Sequence, residues 1–185
     1  MLPNDRTFDG KEFFIYDGKV FRRSYKIENQ GKFQLKFKVV SIDSEYRQAI
    51  AFGLSANPKF KGTILINGQK FQPENKRLNY ILPVSFPDMA EVHMDFDIKE
   101  GNVLIANASD FLDDYPQLIH QISKQTGRTR EQFRGCSYTS GFTATNLYGN
   151  AFWVESLCEN RYRFHCNDHK MDDDFDDLVF DLEIV

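Results

Sequence analysis

Phe33-Gln-Leu-Lys-Phe-Lys-Val39 alternates apolar and polar at every step. Successive side chains of a strand point to opposite faces, so a period of two marks a strand with one face in a core and the other in water. Phe33, Leu35, Phe37 and Val39 are the inward set, and Gln34, Lys36 and Lys38 the outward one. The same pattern extends in both directions. Asp17-Gly18 between residues 13–16 and 19–21, and Asn67-Gly68 between 63–66 and 69–71, are hairpin signals, because these pairs tolerate the positive φ of a tight turn. Val92, Met94, Phe96 and Ile98 alternate with His93, Asp95, Asp97 and Lys99, and Lys99-Glu-Gly-Asn102 turns the chain into Val103-Leu-Ile105.

From Ser109 to Phe133 the spacing changes to that of a helix, with Phe111, Leu112, Leu118, Ile119 and Ile122 on one face, Pro116 able to open it and Gly127 to close it. Strand character returns over 152–154 and 162–164, joined through Cys158-Glu-Asn-Arg161. The expectation is a mainly β fold: one domain over 1–185, an antiparallel β-sandwich or jelly roll with a short helical insertion around 109–135.

Eighteen phenylalanines and a 41% hydrophobic composition exclude a disordered chain. No run approaches the roughly 20 apolar residues of a membrane span. Met1-Leu-Pro-Asn-Asp-Arg6 shows no secretory leader, so the compartment stays open between a cytoplasmic protein and a secreted one without its leader. Cys136, Cys158 and Cys166 cannot all pair within the chain, which favours a reducing compartment. Asn107-Ala-Ser109 has the form of a glycosylation acceptor. The net charge of −4 is local in origin: outside 168–183 the chain has 19 acids against 22 bases.

That local charge is Asp168-His-Lys-Met-Asp172-Asp-Asp-Phe-Asp176-Asp177, which runs directly into the alternating stretch Leu178-Val-Phe-Asp-Leu-Glu-Ile-Val185. Carboxylates crowded beside a rigid strand repel one another, and a hard cation taking six to eight oxygens, Ca²⁺ above all, relieves the repulsion. A solvated acidic loop is the plainer reading of the same residues. Tyr162-Arg-Phe-His-Cys-Asn-Asp168 followed by Asp174-Phe-Asp-Asp-Leu-Val-Phe180 resembles the terminal motif of the DUF4114-type bacterial β-sandwich modules. Asn167 stands in place of their Glu, Asp176 in place of their Asn, and His-Lys-Met-Asp-Asp in place of their Gly-rich loop. The resemblance implies calcium-stabilised binding of a glycan or protein, with Asp168, Asp174, Asp176 and Asp177 as ligands and Asp172 as a weaker fifth.

For the bound partner, the polar stretch 138–150 and the aromatic residues Tyr138, Tyr148, Trp153 and Tyr162 offer flat rings of the kind that stack on a pyranose. The expectation is a non-enzymatic carbohydrate- or protein-binding module with a Ca²⁺-organised loop. Two alternatives stand beside it. One is a jelly-roll metal-dependent oxygenase using His93, Asp95 and a downstream His165 or His169. The other is a cytoplasmic protein–protein interaction or regulatory domain. Cys158, His165, Cys166 and His169 have zinc-type side chains, but adjacent strand residues face opposite ways, which argues against a single tetrahedral site. Lys32, Lys36 and Lys38 with Arg22 and Arg23 form a basic face without a nucleic-acid motif, so nucleic acid is not the expected partner.

Overall fold

The computed structural model describes residues 13–54, 61–70, 79–84, 92–110, 137–139, 142–144, 151–168 and 174–185. The first strands are β1 (Phe13–Tyr16), β2 (Lys19–Arg22), β3 (Tyr25–Ile27), β4 (Gly31–Ile42) and β5 (Arg47–Leu54). Next come β6 (Lys61–Ile66), β7 (Gln69–Lys70), β8 (Asn79–Val84), β9 (Val92–Glu100) and β10 (Val103–Asp110). The series closes with β11 (Ser137–Thr139), β12 (Phe142–Ala144), β13 (Phe152–Cys158), β14 (Arg161–Cys166) and β15 (Leu178–Ile184).

All pairings are antiparallel, in two sheets. The larger runs β1-β2-β13-β14-β15-β4-β9-β6-β7, and the smaller β11-β12-β10-β5-β8 with β3 also on β10. Among the described residues the sheets do not close into a barrel. They share one core: Phe37 of the larger sheet meets Phe52 of the smaller edge-on at 4.8 Å, and Tyr25 meets Phe164 at 5.3 Å. Leu35, Met94, Phe152 and Phe180 from one side and Ile50, Val103 and Ile105 from the other complete it. The arrangement is that of a β-sandwich, as the alternation of Phe33–Val39 requires.

Both hairpin signals form turns, with Asp17 and Gly18 at φ 48° and 70° and Asn67 and Gly68 at φ 48° and 80°. Two consecutive left-handed residues match the right-handed twist of the flanking strands, hence Asp-Gly and Asn-Gly. β15 lies between β14 and β4, with Leu178, Phe180 and Leu182 fully buried and Ile184 against the core edge.

One expectation needs adjustment. Ser109 and Asp110 are the end of β10, paired with Gln48 and Arg47, and so do not begin a helix. The remainder of the expected insertion, 111–135, lies outside the described residues. The turn expected at Lys99–Asn102 forms, with Gly101 at φ 107°. It carries the chain from β9 in the larger sheet to β10 in the smaller one.

Candidate functional site

The described residues of the acidic segment do not form a calcium site. Among the described residues no group of three or more His, Cys, Asp or Glu side chains is arranged to hold a metal ion. The physical reason is that its carboxylates divide between the interior and the solvent. Asp168 and Asp177 turn inward and are buried. Asp168 Oδ2 accepts from Ser44 Oγ at 2.5 Å and Gln48 Nε2 at 3.3 Å, while the Asp168 N–H donates to Asp177 Oδ2 at 2.7 Å. Asp174 and Asp176 are exposed on either side of Phe175, which is buried at φ 60° against Phe21, 4.9 Å between rings. Burial, a hydrogen bond to Asp174 and the charges of Asp174 and Asp43 raise the Asp176 pKa. Asp172 lies outside the described residues. The inward carboxylates are hydrogen-bond acceptors that tie the β4–β5 turn to the start of β15, a link strengthened by the Asp43 N–H donating to the Asp177 carbonyl at 3.2 Å. The calcium-organised binding module is thereby corrected.

The oxygenase alternative with His165 as the downstream ligand fails on the same ground and on topology. His93 and Asp95 sit on β9, and His165 on β14, with β15 and β4 between them. Three strand spacings come to about 14 Å, far beyond a shared metal. His169 lies outside the described residues. The zinc-type side chains also separate: Cys166 is buried, where desolvation and then the Asp177 charge push its thiol well up, while Cys158 is exposed. Asn107 of the Asn-Ala-Ser triplet is buried and donates from Nδ2 to the Asn167 carbonyl at 2.7 Å, so the folded chain does not offer it for glycosylation.

Of the aromatic residues singled out, Tyr148 lies outside the described residues, and Tyr138 falls in β11. Tyr162 points to the core side, 6.0 Å from Tyr25, whose own pKa burial and then Tyr162 raise. Trp153 is on the outer face of the larger sheet. His165 of β14 stacks on it at 4.0 Å and 3° between planes, and Lys19 of β2, the strand on the other side, places Nζ 4.4 Å from the ring centroid. Glu155 Oε2 lies 3.1 Å from His165 Nε2. The indole is thus engaged by its neighbours from both flanking strands. As the chain's single tryptophan it reports on this stack. Replacing His165→Ala is expected to shift its fluorescence emission to longer wavelength as water reaches the uncovered ring face, and an unchanged spectrum would show that the stack does not persist in solution.

Across the rest of that outer face, basic residues meet acidic ones strand by strand. Lys38 pairs in register with Asp181, Asp181 with Arg163 and Arg163 with Glu155; Lys36 faces Glu183, and Lys32 faces Asp97. The lysines of β4 therefore lie within a charge-alternating sheet face, and the basic stripe seen in one strand is not a basic surface.

A groove of about 510 Å³ opens on this face across β4, β9 and β6. Its floor consists of two register rows, Lys32–Asp97–Thr63 and Gln34–Asp95–Leu65, with Phe33 and Phe96 at its lining. Gln34 Nε2 donates to Asp95 Oδ1 at 2.8 Å. Asp97, half-buried, enters no hydrogen bond or ion pair with a described residue. Sequence reading put Gln34, Asp95 and Asp97 on the polar phases of their own strands. Only the pairing of β4, β9 and β6 brings them into one concave place.

No protein-family model, curated protein or solved structure matches the chain. Among the described residues no helix is long and apolar enough to cross a membrane.

Proposed function

We propose that the chain is a β-sandwich binding domain that holds a polar ligand, a glycan or a segment of a protein, in the groove across β4, β9 and β6. The observation that carries this reading is the groove itself, which sets an amide, a hydroxyl, an ammonium group and two carboxylates around Leu65. Ligand sites are concave, of a few hundred Å³, and combine apolar lining with a few convergent polar groups. The side chains belong to three consecutive strands of a rigid sheet, so binding needs little ordering of the protein. This placement differs from the acidic loop and the aromatic segment favoured by the sequence, and it uses none of their residues.

The test is amide NMR of the intact chain against a defined panel of probes: maltotriose, a neutral peptide, a basic peptide and an acidic peptide. Expected are saturable shifts confined to the amides of residues 32–34, 63–65 and 95–97 with at least one probe. Shifts that map elsewhere, or a panel that leaves these amides unmoved, would overturn the reading.

A further inference from the structure

Between the two sheets, the end of the sandwich next to the β4–β5 turn is polar inside. Gln48, Asn107 and Ser109 of the smaller sheet, with Asn167 and Asp168 just after β14, are all buried. Gln48 stands on the core side of β5, two residues from Ile50, and Ser109 on the core side of β10, four residues from Ile105. The two are partners across the ladder, which sets their Cβ atoms about 5 Å apart. Gln48 Oε1 and Ser109 Oγ have no hydrogen-bond partner among the described residues, although the two side chains are only 1% and 0% exposed. Such groups are nearly always paired in folded proteins, because a buried acceptor without a donor has lost its hydration for nothing in return.

The free acceptor does not come from a misplaced amide. Gln48 Nε2 donates to Ser44 Oγ and the Tyr46 carbonyl, both at 3.1 Å, and to Asp168 Oδ2 at 3.3 Å. Turning the amide over would aim Oε1 at a carbonyl and a carboxylate, neither of which can donate. These acceptors fix the NH₂ on their own side and Oε1 on the other.

We propose that a buried water molecule is held between Gln48 and Ser109, donating to Gln48 Oε1 and sharing its second hydrogen bond with Ser109 Oγ. An amide oxygen needs a donor, while a hydroxyl both donates and accepts, and water answers both from one atom. Two groups each about 2.8 Å from a common oxygen span up to about 5.6 Å, the same order as the separation of a directly opposed pair. The surroundings are polar, as the sites of internal waters are, and an anion would set its lone pairs against Oε1. The water extends a chain that runs from Asp168 through Gln48 to Ser109, so β10 is joined to the end of β14 across β5. A second tie between the same two places is the bond from Asn107 Nδ2 to the Asn167 carbonyl. No residue of the groove takes part.

Oxygen-17 magnetic relaxation dispersion on the intact chain tests this, since it counts waters held for longer than the protein tumbles and is blind to exchange of the Ser109 hydroxyl proton. Ser109→Val is the comparison, because its methyl groups take the water's volume and offer no hydrogen bond. Its dispersion amplitude is expected to fall below that of the wild type by the equivalent of about one water. In the wild type a nuclear Overhauser contact between the water line and the Gln48 Hγ protons is expected as well. Equal amplitudes in the two proteins overturn the proposal. So does a wild type without the contact at Gln48, which would mean that Ser109 donates directly to Gln48 Oε1 in solution. Should Ser109→Val fail to fold, the contact in the wild type decides alone.

Discussion

A chain ending at Asp177 is expected not to fold. β15 is an interior strand: its ladder to β14 runs from Arg161↔Glu183 to Cys166↔Leu178, and its ladder to β4 from Leu178↔Ile42 to Ile184↔Leu35. Removing it strips backbone partners from both neighbours at once, and a buried amide or carbonyl left without a partner costs about 1–3 kcal/mol. It also removes Leu178, Phe180 and Leu182, which are fully buried. Phe180 alone stacks on Phe164 at 4.6 Å and approaches Phe37 at 6.2 Å. Phe180→Ala, a gentler change, should cost about 3–5 kcal/mol through the cavity it leaves. Circular dichroism and thermal melting of both variants check this. A truncated chain that melts at the temperature of the full one would refute the central place given to β15.

The second large effect is expected at Asp181. It sits on the outer face of β15, only 6% exposed. Arg163 donates from Nε to Oδ1 at 2.8 Å and from Nη2 to Oδ2 at 3.1 Å, and Arg161 donates from Nη2 to Oδ2 at 3.3 Å. Burial acts to raise the Asp181 pKa, but the two guanidinium groups outweigh it and hold the carboxyl below its ordinary value. Arg163→Ala leaves a buried carboxylate with Arg161 alone and should cost about 2 kcal/mol near neutral pH, discounted because the lost partner is about a third exposed. The folded pKa lies below the unfolded value of about 3.9, so this stabilisation is complete above that value. It is lost as pH falls through the folded pKa. Urea melts should therefore show the gap between wild type and Arg163→Ala closing below about pH 4, whereas a gap independent of pH would contradict the ion pair's role. Asp176 acts in the opposite direction. Its raised pKa means that the folded chain holds that proton more tightly, so acidification relieves a cost present at neutral pH.

How far the sequence could be read depended on whether the signal was local. The alternation in Phe33–Val39 and Val92–Ile98 gave the inward sets correctly, because side-chain direction in a strand is set by its own backbone. Asp-Gly and Asn-Gly gave their turns for the same reason. The acidic segment misled because composition counts carboxylates without saying where they point. Phe175 turns at φ 60° into the Phe21 cluster, so Asp176 and Asp177 on its far side end in water and in the protein respectively. The donors that occupy Asp168, Ser44 and Gln48, come from a turn and a strand more than a hundred residues earlier in the chain. The groove was hidden in the same way: Lys32, Asp97 and Thr63 form a row only through the order β4-β9-β6, and strand order is a long-range property that no single segment encodes.

The position of β15 also bears on how the protein comes to exist in a cell. β4 is made well before its partner on one side, β9, which follows about fifty residues later at Val92–Glu100. Its partner on the other side is residues 178–184. During synthesis at about 5–20 residues per second, that flank of β4 stays an unpaired edge with Phe37 and Val39 beside it for several seconds. The larger sheet cannot be completed on the ribosome until β15 has cleared the exit tunnel. Completion of the sheet is then the insertion of one late-made strand between β14 and β4, a high-contact-order step that is slow and leaves the nascent chain dependent on whatever shields exposed strand edges.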